Sequence, residues 1–160
     1  MKYIYDDQSG TTHFQRYFEY LQRIRGKLPK SLYEFAADQS RYALNDPRTM
    51  HDSWLVSITV HEGSASGDNR RLMTIDLKLL GPYHDRHFDL RYGDVLTYQF
   101  DMPKKTNLPP ATGHGDLLYQ EFRLTDDEKN LCHEIQFSSG RRLYVECREI
   151  AIHEVPTKTH

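Results

Sequence analysis

The sequence predicts an α+β fold: an antiparallel, mostly meander sheet of about seven strands, curled or barrel-like, with two N-terminal helices packed on it. Three observations lead there. Apolar residues recur at helical spacing only between residues 12 and 38. From residue 50 onward they alternate with a period of two, as on a half-buried strand. Most of the alternating runs are separated by short stretches rich in Gly, Asp, Asn and Ser, which suit hairpins rather than crossover helices.

The length of 160 residues suits one domain spanning 1–160, with a helical segment at 12–38 and the sheet at 50–153. The N-terminal segment is too short to build a core alone, so its helices must lie on the sheet.

In chain order, the cluster Tyr3-Ile4-Tyr5 fits either a short edge strand or a tail held by its rings. Thr12 and Gln15 have the spacing of a capping box, and Phe14, Tyr17, Phe18, Leu21 and Ile24 then line one side of a helix over 12–25. Gly26 and Pro29 stop it. Ser31 and Glu34 repeat the capping spacing ahead of a second short helix carrying Leu32, Phe35 and Ala36. Residues 39–48 read as a connector turning at Asn45-Asp46-Pro47.

The first sheet strand covers 50–60, and its alternation places Trp54, Val56, Ile58 and Val60 inward. A second strand spans 71–80 with Met73, Ile75, Leu77 and Leu79 inward, joined to the first by the small polar residues 63–69. A third strand at 86–92 is expected to turn tightly at Gly93-Asp94 into a fourth at 95–101. After a long connector at 102–115 holding three prolines, strands resume at 116–124, 130–137 and 142–152. In the last, the apolar phase moves from Leu143, Val145 and Cys147 to Ile150 and Ile152, which predicts a β-bulge near Arg148.

The charge balance, 21 basic against 23 acidic side chains, provides no whole-chain field for nucleic acid or an anionic membrane. A nucleic-acid platform would also need a basic groove beside its aromatic rings, and these strands mix both signs of charge. No run approaches the ~20 apolar residues of a membrane span, and the first residues lack the apolar stretch of a signal peptide. Cys132 and Cys147 fall on opposite faces of neighbouring strands, which disfavours a disulfide between them. Reduced thiols and a cytoplasmic location are the expectation.

Polar residues gather at the entries of three strands: His51-Asp52, then His84 with His87, then His114 with Asp116. If the hairpins stack, these segments meet at one rim, where imidazole and carboxylate are suitable ligands for one divalent metal that could activate a water for hydrolysis. The competing reading makes them turn formers and caps, and their spacing matches no specific metal motif. No nucleophile elbow, phosphate-binding loop or dinucleotide fingerprint occurs. His133 is in phase with Leu131, Ile135 and Phe137, which makes it a core histidine, and Trp54 reads as a core anchor. Tyr83, Tyr92, Tyr98, Tyr119 and Tyr144 could instead furnish a binding surface.

The succession His51-Asp52, Trp54-Leu55, Ser57-Ile58 and Val60, followed by a polar link and then Leu72, Leu77, Leu79 and Leu80-Gly81-Pro82, resembles small uncharacterised bacterial β-rich proteins, some of them similar to immunity proteins of toxin systems. The likeness covers 50–152. It implies a non-catalytic protein that needs no cofactor and acts by binding another protein. The alternative is a small metal-dependent hydrolase using the rim residues. An exposed edge strand would also allow a homodimer.

Overall fold

The computed structural model describes residues 1–64, 70–101 and 113–157. Most of the expected link at 63–69 and connector at 102–115 lies outside them. The chain opens with a two-residue pair, β1 (Tyr5–Asp6) and β2 (Thr12–His13), then α1 (Gln15–Arg23) and α2 (Lys30–Ala37). Neither predicted capping box forms. Thr12 belongs to β2, where its hydroxyl donates to Asp6 Oδ1, and Ser31 lies inside α2, which starts after Pro29 without a side-chain cap. Pairing with the first strand took Thr12 before the helix could use it.

The main sheet has six antiparallel strands in the order β3-β4-β5-β8-β7-β6: β3 (Trp54–Ser64), β4 (Arg71–Leu80), β5 (Arg86–Asp101), β6 (Leu117–Leu124), β7 (Leu131–Phe137) and β8 (Arg142–Pro156). Two three-stranded meanders therefore join along β5 and β8. The sheet is not closed. Its edge strands meet only at one end, through the isolated bridge Trp54↔Asp116 and the hydrogen bonds Asp52 N to Leu117 O and Leu117 N to Ser53 O, at 2.8 and 2.9 Å.

Residues 86–101 form one strand, which overturns the tight turn expected at Gly93-Asp94. Gly93 pairs with Glu149, and a Cβ there would stand 3.2 Å from Glu149 Cβ, so this glycine marks a close approach inside the sheet. The buried phase changes in both strands at this level, from Tyr92 to Val95 in β5 and from Cys147 to Ile150 in β8. The register irregularity expected near Arg148 lies across the ladder, between Val95 and Thr97 of β5.

The predicted orientation of the first strand is also corrected. A bulge between Leu55 and Ser57 shifts its phase, so Leu55 and Ile58 pack on the core while Trp54 and Val56 are 50% and 51% exposed. One extra residue moves every side chain on one side of it to the other face. Trp54 is therefore not a core anchor, and Val60, although on the core side, is 41% exposed at the sheet edge.

One hydrophobic core runs from Tyr17, Leu21 and Leu32 through Ile75, Leu77, Phe88 and Leu90 to Phe122, Phe137 and Val145. Within it the His133 ring stacks on Phe122 with centroids 3.9 Å apart. Tyr92 Oη lies 2.7 Å from His133 Nδ1, and His133 Nε2 lies 3.0 Å from Gln120 Oε1. Gln120 Oε1 can only accept, so Nε2 carries the proton and Nδ1 accepts from Tyr92. His133 is the core histidine its phase predicted.

Helix α1 meets the outer edge of β6. The Tyr17 hydroxyl accepts from Phe122 N at 2.7 Å and donates to Phe122 O at 3.1 Å, and the Tyr20 hydroxyl accepts from Leu124 N at 2.9 Å. Two side chains thus stand in for a missing neighbour strand. On the other face of β6 the fully buried Glu121 carboxylate accepts from the amides of Lys2, Tyr3 and Ile4 at 2.6–2.9 Å, a backbone nest around an anion. Cys132 and Cys147 are buried free thiols on opposite faces of adjacent strands. No helix of the described residues is long and apolar enough to cross a membrane.

Candidate binding surface

The segments leading into β3, β5 and β6 do meet at one end of the sheet. Residues 52–54 bond to 116–117, and the rings of Trp54 and His84 lie 4.6 Å apart, tilted by 67°. The six polar residues nevertheless have separate environments. Asp52 and His84 take φ of 63° and 56°, the left-handed conformation of turn residues. Asp52 N and His84 N make turn and bridge bonds, to Leu117 O and Gly81 O. His51 Nδ1 lies 3.0 Å from Asp52 Oδ1, yet out of line for a hydrogen bond. Its ring lines a cavity of about 20 Å³ with Phe14, Tyr42 and Met50, room for one water.

His114 is stacked on Phe100 at 4.8 Å and also contacts Phe137; burial, with a smaller contribution from Arg141, holds its pKa below the usual imidazole value. The Asp116 backbone is tied to Ser138, its N–H donating to Ser138 Oγ at 2.9 Å. His87 is the second residue of β5 and pairs with Leu80 and Val155 in the ladder. Among the described residues, no three or more His, Cys, Asp or Glu side chains converge as a metal-holding cluster.

A different surface is assembled at the same end. Directly paired residues of antiparallel strands share a face. Trp54 pairs with Leu80, Leu80 with His87 and His87 with Val155, so these four make a row across β3, β4, β5 and β8 on the face turned from the core. Trp54 and Val155 are 50% and 43% exposed. The next row is Ser57, Lys78, Asp89 and His153, and the one after it is Thr59, Asp76, Arg91 and Ala151. Ion pairs run along these rows, Lys78 to Asp89 at 3.7 Å and Arg91 to Asp76 at 3.4 Å, and His61 reaches Asp76 at 3.3 Å from the next one. Exposed pairs of this kind contribute little to stability, about 0–1 kcal/mol. They border a depression of about 440 Å³ lined by Ser57, Lys78, Asp89, Arg91 and His153.

The row continues around the rim. Trp54 touches His84, and the neighbouring Tyr83, 53% exposed, donates to the backbone oxygen of Leu44, itself 66% exposed. Of the five tyrosines proposed as a surface, Tyr83 and Tyr98 are exposed, Tyr119 and Tyr144 are half-buried, and Tyr92 is wholly in the core. Sequence reasoning missed the row because it assigned Trp54 inward. Only Leu80 and Val155 falling out of phase with their buried neighbours pointed outward. No protein-family model matches this chain, and comparison with curated proteins gives no significant match.

Proposed function

We propose that this protein is a non-catalytic binding module that docks another protein on the outer face of β3, β4, β5 and β8, acting by occupancy in the manner of immunity proteins. The row Trp54–Leu80–His87–Val155, exposed at its two ends and half-buried between them, carries the reading. Contiguous exposed apolar surface on a soluble domain marks interaction sites, and tryptophan is among the side chains that dominate interface energies. The charged rows behind it would set orientation by pairing with opposite charge on the partner.

The test uses photoreactive side chains at positions 78 and 155, with Glu34 on α2 as the control position. The same protein should cross-link from 78 and 155 and not from 34. With that protein purified, Trp54→Ala should raise its Kd at least about thirtyfold, as a central aromatic anchor does. An unchanged Kd refutes the docking face.

A second reading, a hydrolase using one divalent metal, draws support from the meeting of His51, Asp52, His84, His114 and Asp116 at one end of the sheet, near His87. Elemental analysis of protein prepared without chelator separates the two. One equivalent of metal, lost in His51→Ala and His114→Ala with the fold intact, would favour it over the binding module.

A further inference from the structure

We infer that β3 is a self-association edge: two copies of this chain pair antiparallel through residues 57–61 of β3, about a two-fold axis at Thr59. The inference rests on the sheet edge and is independent of the docking face.

The two edges of the sheet are treated differently. That of β6 is occupied by the hydroxyls of Tyr17 and Tyr20 and by residues 52–54. Beyond Trp54, no strand among the described residues pairs with the outward edge of β3. From Thr59 to Ser64 every residue is exposed. Folded proteins usually blunt such an edge with lysine, proline or a bulge, because its free N–H and C=O groups template another strand. The run Trp54–Ser64 holds no lysine, arginine or proline, and its bulge lies at Leu55 and Ser57, before the open stretch.

The pattern of side chains is self-complementary. Centred on Thr59, an antiparallel pair sets Ile58 against Val60 of the second copy, twice, on the core side. That covers the half-buried Ile58 and the exposed Val60 where the sheet ends. On the outer side Ser57 meets His61 and Thr59 meets its own copy.

Charge supports the same register. His61 and Glu62 are the only ionisable side chains on β3. In this arrangement the two Glu62 carboxylates stand about 20 Å apart and the two His61 rings about 14 Å apart along the strand direction. A register centred on His61 would bring the two imidazoles together. The pairing is isologous, so it closes at two copies. It also makes one continuous sheet with both outer faces on the same side.

Sedimentation velocity from micromolar to about 0.1 mM protein reads the association directly. The wild-type chain should reach dimer mass, and Val60→Lys, which places an ammonium against Ile58 of the second copy, should weaken the dimer at least about tenfold. Thr59→Cys, treated with a short bis-maleimide, should cross-link to itself; Ser57→Cys should not, but should cross-link to His61→Cys in a mixture. A monomer throughout the concentration range overturns the inference. So does a dimer that survives Val60→Lys without cross-linking through position 59. If Val60→Lys fails to fold, the cysteine pattern alone decides.

Discussion

His133 is held neutral inside the core, so acidification should destabilise this protein through one identifiable side chain. The ring is 1% exposed, is stacked on Phe122 and is committed to Tyr92 and Gln120, with no carboxylate among its hydrogen-bond partners. Burial pushes its pKa down to about 3. In the unfolded chain the ring returns to the ordinary imidazole value near 6.5. Between those values the unfolded state binds the extra proton, so the stabilisation is complete above about pH 6.5 and is lost as the pH falls toward 3. Linkage gives a loss of about 1.4 kcal/mol at pH 5.5 and about 2.7 kcal/mol at pH 4.5, relative to neutral pH.

The assay is urea unfolding at pH 7.5 and 4.5 for the wild type and for His133→Gln, which cannot titrate. Losing one or both ring hydrogen bonds should cost the variant about 1–3 kcal/mol at neutral pH. Its further loss on acidification should be smaller than that of the wild type by about 2.7 kcal/mol, because the carboxylates titrate alike in both. Equal losses would refute the argument. An NMR titration in which His133 ionises near pH 6 with the fold intact would refute it as well.

Two other outcomes follow from the core and the β6 edge. Tyr17→Phe leaves the buried N–H and C=O of Phe122 without the hydroxyl, and thermal or chemical unfolding should show a loss of about 1–3 kcal/mol; a loss below about 0.5 kcal/mol would mean the hydroxyl is not the edge partner. Burial raises the pKa of both thiols, that of Cys147 up to about 12, so neither should be alkylated by iodoacetamide at pH 8 until the protein unfolds; rapid native labelling of Cys147 would contradict its placement.

What could be read from the sequence about the sheet was local. Strand β4 was predicted at its observed bounds because each side chain from Met73 to Leu79 alternates and the strand has neighbours on both sides. His133 was placed inward, and Cys132 and Cys147 on opposite faces, by the same parity. Parity fails wherever a residue is inserted without a sequence mark. At Val56 the insertion turned Trp54 from the core to the surface, and the exposed row escaped notice with it. At Gly93-Asp94 a dipeptide typical of turns stayed in a strand, because β8 lies alongside to accept it and Gly93 lets Glu149 approach.

The sequence by itself determined the α+β class, the limits of β4, β6 and β7 to within a residue and the core-facing half of β4, β7 and much of β8, since those depend on spacing within a few residues. The tertiary structure alone decided that β8 joins the two meanders, that the polar turns meet at one end without converging, and that β6 is sealed by Tyr17 and Tyr20 while β3 is left open. These depend on contacts between residues as much as 105 positions apart, where the outcome is set by which edges and faces find partners, and local periodicity carries no record of that.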